Sequence, residues 1–430
     1  MPERGDLVVS LTRGDGATAE RVGPKAATLA TLYRAGLRIP DGFCVTADAY
    51  RVQLASAGVE DAARRVAHAD GHDARRLALE VRLGLIRAPF ASAVAEVLDA
   101  SHGDLAAEPG ASVAVRSSAL LEDSPTASFA GQFESFLGIT THADLLTAVR
   151  ACWASLWSTR ALRYMQAHDV DPGRTAMAVL VQTLIPARAA GGALSRTPRG
   201  EILITGTWGL GSAIAQGEVV PDRFLLEPDG SLASVEPGRK ERLVTCSPDA
   251  GPLARPVSAE LVTVPCLTED EAVALARMVL AAESRLGMPL EIEWAKDDLG
   301  FHLLQARPLT MESPHVEDDV WLRHPGLRGQ PSGVGWSTGP ARVVLHEHDL
   351  DHVNVGDVLI TQVAGPALAA VLPRVAGVVA ELGGSTSHLA ALARERGIPA
   401  VLGLRDATRR IPEGAMVAVD GVAGVVRWIA

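Results

Sequence analysis

The sequence predicts an α/β protein built in two parts, a large N-terminal region of mixed helices and strands and one small C-terminal α/β domain. Three observations lead there. Helix-forming stretches with few breakers fill 24–36 and about 50–105, whereas strand-like apolar runs broken by glycine turns dominate from 112 to 310. Composition then shifts at 311–333 to Pro, Gly, His and charge, which reads as an interdomain linker. Beyond it, short strands alternate with helical segments over about 100 residues, the size of a single domain.

Taken in order, residues 24–36 open near Pro24 and close at Gly36, a proline-first, glycine-last helix. The segment IPDGFCVTADAY reads as a turn, a short strand and a helix start. SVAVRSSAL is strand-like, and SPTASFAGQFESFLG is loop-like with small residues. AMAVLVQTLIP is a continuous apolar run ending in proline, a buried strand. EILITGTWGLGSAIAQGEVVPDRFLLE alternates strands with glycine turns. Thr268 and Glu271 form a capping box that opens a helix to about Leu286. PLEIEWAKDDLGFHLLQARPL reads as two strands around the turn Asp297-Asp298-Leu299-Gly300. Past the linker, the expected strands are ARVVL, DVLITQ, GVVAE, MVAVD and GVVRWI.

Composition bounds the function. A net charge of -11 offers no footprint for a phosphate backbone, so a dedicated nucleic-acid binder is excluded. With 47% hydrophobic residues the 430-residue chain has ample material for cores, and disorder across most of it is excluded. The four cysteines (Cys44, Cys152, Cys246, Cys266) are far apart and read as core thiols of a reduced compartment. The start of the chain lacks the apolar run of a signal peptide. The most apolar stretch, 367–382, carries Pro373, Arg374 and Glu381 and does not span a membrane. A cytoplasmic enzyme is the expectation. Only three of the 40 basic residues are lysines (Lys25, Lys240, Lys296), so a lysine that persists here is a better candidate for a specific task.

The chemistry concentrates at Gly383-Gly384-Ser385-Thr386-Ser387-His388. An apolar strand runs into a glycine pair, Ser385, Thr386 or Ser387 caps a helix, and the helix stops at Gly397 before Pro399. His388 then falls in the first turn, where backbone N–H groups and the positive dipole end favour an anion. Two readings stand on spacing alone: a histidine that accepts a phosphoryl group, or a capping histidine at a helix start.

The stretch GGSTSHLAALARERGIPAVLG resembles the phosphohistidine motif of phosphoenolpyruvate synthase, pyruvate phosphate dikinase and rifampicin phosphotransferase. GVGWSTGPARVV and GDVLITQVAGP resemble the opening of the same swivelling domain, and VDGVAGVVRWI its closing strands. VGPKAATLATLYRAGLRIPDGFCVTADAY, VAVRSSALLEDSPTASFAGQFESFLG, AVLVQTLIP and LEIEWAKDDLGFHLLQARPLT resemble successive motifs of the ATP-grasp-like nucleotide domain of those enzymes. The resemblance implies an ATP-grasp-like domain over 1–312, with subdomains roughly 1–190 and 191–312, then a linker over 313–333 and a swivelling phosphohistidine domain over 334–430.

The resemblance also implies roles. His388 accepts the β-phosphate of ATP with release of AMP and phosphate, then passes the phosphoryl group to an acceptor. Lys25 and Arg116 neutralise triphosphate oxygens, the one a mobile point charge and the other a planar fork. Gly131 lets backbone amides approach the phosphates. Gln182 and Leu184 lie near the adenine. Glu293 and Gln305, on two strands joined by a turn, are oxygen donors suited to Mg²⁺, and Arg307 shares a strand face with Gln305. Arg116 or Arg307 paired with a carboxylate, and Leu184 as plain core, are the structural alternatives. The chain departs from the family pattern at Pro24, where a second glycine is usual, at Ser212, where an acid is common, and at Thr197, which replaces an aspartate.

Neither a pyruvate-binding barrel nor an antibiotic-binding domain is recognisable, so the expected acceptor is a small hydroxylated or enolisable metabolite held by a separate partner chain. Two other classes keep some of the features: an ATP-grasp ligase that makes an acyl phosphate and ADP, and a non-catalytic ATP-sensing carrier. The histidine domain argues against the first, and the joint presence of the charged set against the second. His346, His348 and His352 suggest a metal site at first sight, but a solvated loop is the expectation.

Overall fold

The computed structural model describes residues 7–14, 16–105, 112–122, 133–167, 170–247, 251–309 and 324–429. It is an α/β structure with two compact units. The first comprises 1–185 with 246–253 and 302–307, and the second 186–245, 254–301 and 308–430.

In the first unit the strands Val8–Ser10, Gly42–Val45, Met177–Thr183, Val113–Ala119 and Ser135–Ile139 form one antiparallel sheet in that spatial order. The last of them falls where a loop is expected, because Gly138 takes a left-handed φ of 74° inside an otherwise extended run. The Ala/Arg/Leu-rich stretch forms the helices Ala47–Ser56, Glu60–Val66, Gly71–Arg87 and Ser92–Leu105. Helix His142–Ser155 joins them over one face of the sheet and encloses Tyr50, Leu85, Leu98, Trp153, Val179 and Val181. The helix expected from Pro24 begins there. Ala19–Arg34 is broken at Gly23, whose φ of 74° turns the chain, and Pro24 starts the regular part with its ring at a position that needs no N–H.

The second unit contains two sheets. In the first, strands Leu290–Asp297, Ala189–Leu194, Ile202–Trp208, Asp222–Leu226 and Leu232–Glu236 lie antiparallel in that order. Helix Glu269–Leu286 packs on this sheet. Both halves of its Thr268/Glu271 capping box are made, and Gly287 closes it at φ 72°. The fully buried Asp222 carboxylate pins the sheet's margin by pairing with buried Lys240 and accepting from Gly238 N and Cys266 N at 2.7 Å each. All three lysines are engaged: Lys25 with Glu122, Lys240 with Asp222, Lys296 with Glu271.

The other sheet has eight strands. Trp336–Val344, Val358–Thr361, Gly377–Ala380 and Ala400–Leu402 run parallel at its centre, flanked by Met416–Asp420 and Val425–Ile429. The linker expected over 313–333 ends sooner than composition suggests. Gly326–Arg328 and Gln330–Pro331 are edge strands of this sheet, paired with Val425–Ile429 and Ala400–Leu402. The glycines there serve close approach. A Cβ on Gly329 would lie 2.6 Å from Leu402 O, and one on Gly333 would lie 2.3 Å from Ile398 O.

Burial pushes the Cys44 and Cys152 thiols far above their ordinary range, as core thiols require. His348 and His352 stand on a short 3₁₀ helix, Glu347–His352, that the exposed His346 caps, rather than on an irregular loop. No metal-ligand cluster occurs among the described residues, and no described helix is long and apolar enough to cross a membrane.

Candidate functional site

In the first unit, alternation sends Val113, Val115 and Ala119, with Met177, Val179 and Val181, into the core. The opposite face therefore carries Ala114, Arg116 and Ser118 on one strand and Leu180 and Gln182 on its neighbour. Register sets Arg116 opposite Leu180 and Ala114 opposite Gln182, so Arg116 and Gln182 share that face. The helix with Lys25 packs on it as well. Gly23 sits so close that a Cβ would lie 2.4 Å from Ser118 Oγ, while Ser118 Oγ donates to Val22 O at 2.8 Å.

Lys25 Nζ lies 3.3 Å from Ser117 O and 2.5 Å from Glu122 Oε1. Glu122 is 3% exposed and also accepts from Ala119 N. Sequence reasoning missed this carboxylate, although a buried glutamate six residues after a strand arginine needs a cation beside it. Gln182 is 2% exposed, and its Nε2 is a buried donor without a partner among the described residues. Leu184 is half-buried, just past the strand end, where its N donates to Ser112 O at 2.8 Å. Gln305 and Arg307 are half-buried on one face of strand Gly300–Pro308. Gly131 lies outside the described residues.

The second unit holds His388 and Glu293. Helix His388–Glu395 begins as expected, with Ser387 Oγ accepting from Ala390 N at 3.2 Å, and Gly397 follows it at φ 65°. His388 is half-buried in the first turn. The loop before it lies on the antiparallel sheet. Thr386 Oγ1 and Thr205 Oγ1 are 2.5 Å apart, and Gly383 N donates to Val219 O at 3.1 Å. Gly192 makes room for Thr386, since a Cβ there would lie 2.5 Å from Thr386 Cβ. The same glycine is the register partner of Glu293, an exposed carboxylate on the adjoining strand. His388's loop and Glu293 thus meet one patch of sheet.

A buried arginine fixes the loop from below. Arg394 is 7% exposed; its Nη1 donates to Ser385 O at 2.5 Å and to Ser332 O at 3.3 Å. Its Nη2 faces Glu291 Oε1 across 2.8 Å. Glu291, two residues before Glu293, shares that residue's strand face. The sequence carries only a faint sign of this pair, an arginine within the apolar helix after His388.

The three departures also have places. Pro24 follows the Gly23 turn, Thr197 Oγ1 donates to Glu201 at 3.1 Å, and Ser212 Oγ is buried without a partner among the described residues. Replacing Gly192 by Ala is expected to slow any transfer through His388 roughly 10–100-fold, because a misplaced reacting group loses rate steeply. Circular dichroism and ATP affinity should stay unchanged, and Thr386→Gly in the same chain should recover part of the loss. Unchanged transfer in Gly192→Ala would show that this close approach does not position the loop.

Residues 19–322 match the family described as pyruvate phosphate dikinase, AMP/ATP-binding domain. Residues 353–424 match the family described as PEP-utilising enzyme, mobile domain. The chain is 33% identical over 416 residues to a probable phosphoenolpyruvate synthase of Methanothermobacter thermautotrophicus, covering 94% of this chain and 61% of that protein. It is 34% identical over 457 residues to the phosphoenolpyruvate synthase of Aeropyrum pernix, covering 94% and 56%. With the phosphoenolpyruvate synthase of Escherichia coli it shares 32% over 442 residues, covering 95% and 56%. The chain thus spans between half and two thirds of the length of these relatives.

Proposed function

We propose that this chain, which belongs to the pyruvate phosphate dikinase and phosphoenolpyruvate synthase family, is an AMP-forming phosphotransferase working through His388. A ring nitrogen of His388 attacks the β-phosphorus of ATP. The bond to the oxygen bridging the α- and β-phosphorus breaks, and AMP leaves with that oxygen. Water then cleaves the outer phosphate from the pyrophosphoryl-histidine, which leaves phospho-His388 and inorganic phosphate. The remaining phosphoryl group passes to an acceptor oxygen, and the histidine is regenerated.

The observation that carries this reading is the seating of His388's loop on the sheet patch that includes Glu293, through Thr386, Thr205 and Gly192. In the first unit, Lys25 and Arg116 supply the cationic groups for the triphosphate, and the unpartnered Gln182 Nε2 suits an acceptor nitrogen of adenine. Positioning and charge stabilisation then do most of the work, as phosphoryl transfer requires. Mg²⁺, when bound, neutralises charge on the transferred group. Glu293 and Gln305 offer the carboxylate and amide oxygens that this hard cation takes. The name of the relatives, phosphoenolpyruvate synthase, makes an enolisable acid the first acceptor to test, within the wider class of small hydroxylated or enolisable metabolites and with a partner chain as its holder.

Chromatography of the nucleotide products tests the reading. AMP and phosphate are expected in equal amounts when acceptor is present. ADP as the dominant product would favour an acyl-phosphate ligase or a simple kinase.

Glu293→Gln is expected to raise the Mg²⁺ concentration for half-maximal ATP turnover by about tenfold, with no loss of thermal stability, since the side chain is exposed. Mg²⁺ titration followed by tryptophan fluorescence gives a readout independent of turnover. An unchanged Mg²⁺ requirement in both measurements would remove Glu293 from the metal-ligand set.

A further inference from the structure

The second unit contains a cavity of about 490 Å³ along the seam where the eight-stranded sheet meets the antiparallel one. One wall comes from the turn and strands between Leu194 and Pro237, and the other from the edge strands at 328–334 and the loop 421–423. Its lining carries five arginines and two glutamates. Arg196, Arg223 and Arg394 are paired with Glu283, Glu236 and Glu291, and the lining carboxylate Glu201 accepts from Thr197. The side chains of Arg199 on one wall and Arg328 on the other have no hydrogen bond or ion pair among the described residues, while the Arg199 backbone N donates to Thr197 Oγ1. Two exposed arginine side chains therefore line this space without an ion pair, alongside the carboxylate of Glu201.

Two of the lining residues, Gln330 and Arg223, carry buried polar atoms without a partner among the described residues. Gln330 is 8% exposed. Its Nε2 donates to Pro221 O at 3.0 Å, and its Oε1 has no donor. Arg223 uses Nη1 on Glu236, while its buried Nε is unpartnered. A buried acceptor and a buried cationic donor left open on one cavity are what a ligand with both a hydroxyl and an acid group would satisfy.

We propose that this seam cavity is an effector site for a small hydroxylated organic anion, a sugar acid or sugar phosphate in chemical class. Its acidic groups pair with Arg199 and Arg328, and its hydroxyl donates to Gln330 Oε1. Because the site draws on both walls, such a ligand binds the docked arrangement of the histidine domain better than any arrangement in which the walls have parted. By linkage it then shifts the population toward docking. That last step rests on the proposed movement of the histidine domain, whereas the binding site itself does not.

The test uses 6-phosphogluconate as probe, with the full chain and without ATP or Mg²⁺. Calorimetry is expected to show one site, weakened about tenfold by Arg199→Ala and by Arg328→Ala, as loss of a charge-assisted pair implies. Gln330→Leu should weaken it several-fold, and ATP affinity should be unchanged in all three. Hydrogen exchange with bound probe should show added protection on both walls, at 195–201 and at 326–331. No binding at millimolar probe, or binding that survives the Arg199→Ala/Arg328→Ala double variant, overturns the site. Binding with protection on one wall only overturns the bridging. Neither result depends on whether His388 is phosphorylated.

Discussion

Protein carrying His388→Ala, incubated with ATP labelled at the β-phosphate, is expected to acquire at least ~10³-fold less acid-labile, base-stable label than the unaltered chain. The size of the effect follows from the proposed role. A covalent carrier has no partial substitute: without the ring nitrogen there is no atom in the first turn of helix His388–Glu395 to take the group. ATP affinity should change little, because Lys25, Arg116 and Gln182 belong to the other compact unit. Stability should change little as well, since the imidazole is half-buried and the helix keeps its Ser387 cap. His388→Asn makes the stricter comparison because it preserves polarity and rough size. Label that persisted in either variant, at normal extent and with the same acid lability, would move the phosphoryl acceptor elsewhere.

The features that sequence reading placed correctly are local ones. Pro24 and Gly36 bound a helix through their own backbone restrictions, Thr268 and Glu271 close a four-residue ring, and Ser387 caps the turn that carries His388. Such devices need only neighbours in the chain. The failures share a different cause. Ala189–Leu194 contains Gly191 and Gly192 and offers little side chain for a strand pattern. It is nonetheless a central strand, because a Cβ at Gly191 would press 2.0 Å from Thr205 O and one at Gly192 would strike Thr386. Gly326–Arg328 and Gln330–Pro331 are similar, with glycines that suggest a linker and serve instead as points of contact. In each case glycine is present for what lies across from it, and that partner is about 14 to 190 residues away in sequence. The charged residues divide along the same line. Lys25, Arg116, Glu293 and His388 stand in motifs that can be seen, whereas Glu122, Glu291 and Arg394 show their purpose only through burial and pairing.

Arg394 and Glu291 carry the other large expected effect. Both are about nine-tenths buried, and they join the helix of His388 to the strand of Glu293. Glu291→Ala leaves a guanidinium buried without its carboxylate, and breaking a buried pair from one side costs about 3–5 kcal/mol. The two carbonyls that Arg394 also holds, Ser385 O and Ser332 O, should bring the loss toward the lower end. Urea unfolding measures it. Glu291→Leu with Arg394→Met removes both charges and should return stability to within about 1 kcal/mol, because the desolvation cost disappears along with the attraction. Transfer should not return with it. The double variant still lacks the guanidinium that holds Ser385 O, three residues before His388, so β-phosphate labelling should remain at least about tenfold slow while ATP affinity is normal. A purely structural pair predicts the opposite, with labelling recovering as stability recovers. If the double variant is stable and labels at the ordinary rate, Arg394 is no more than a buried charge that found a partner. If it is stable and slow, Arg394 is a positioning residue for His388, and Glu291 is the group that keeps it in place.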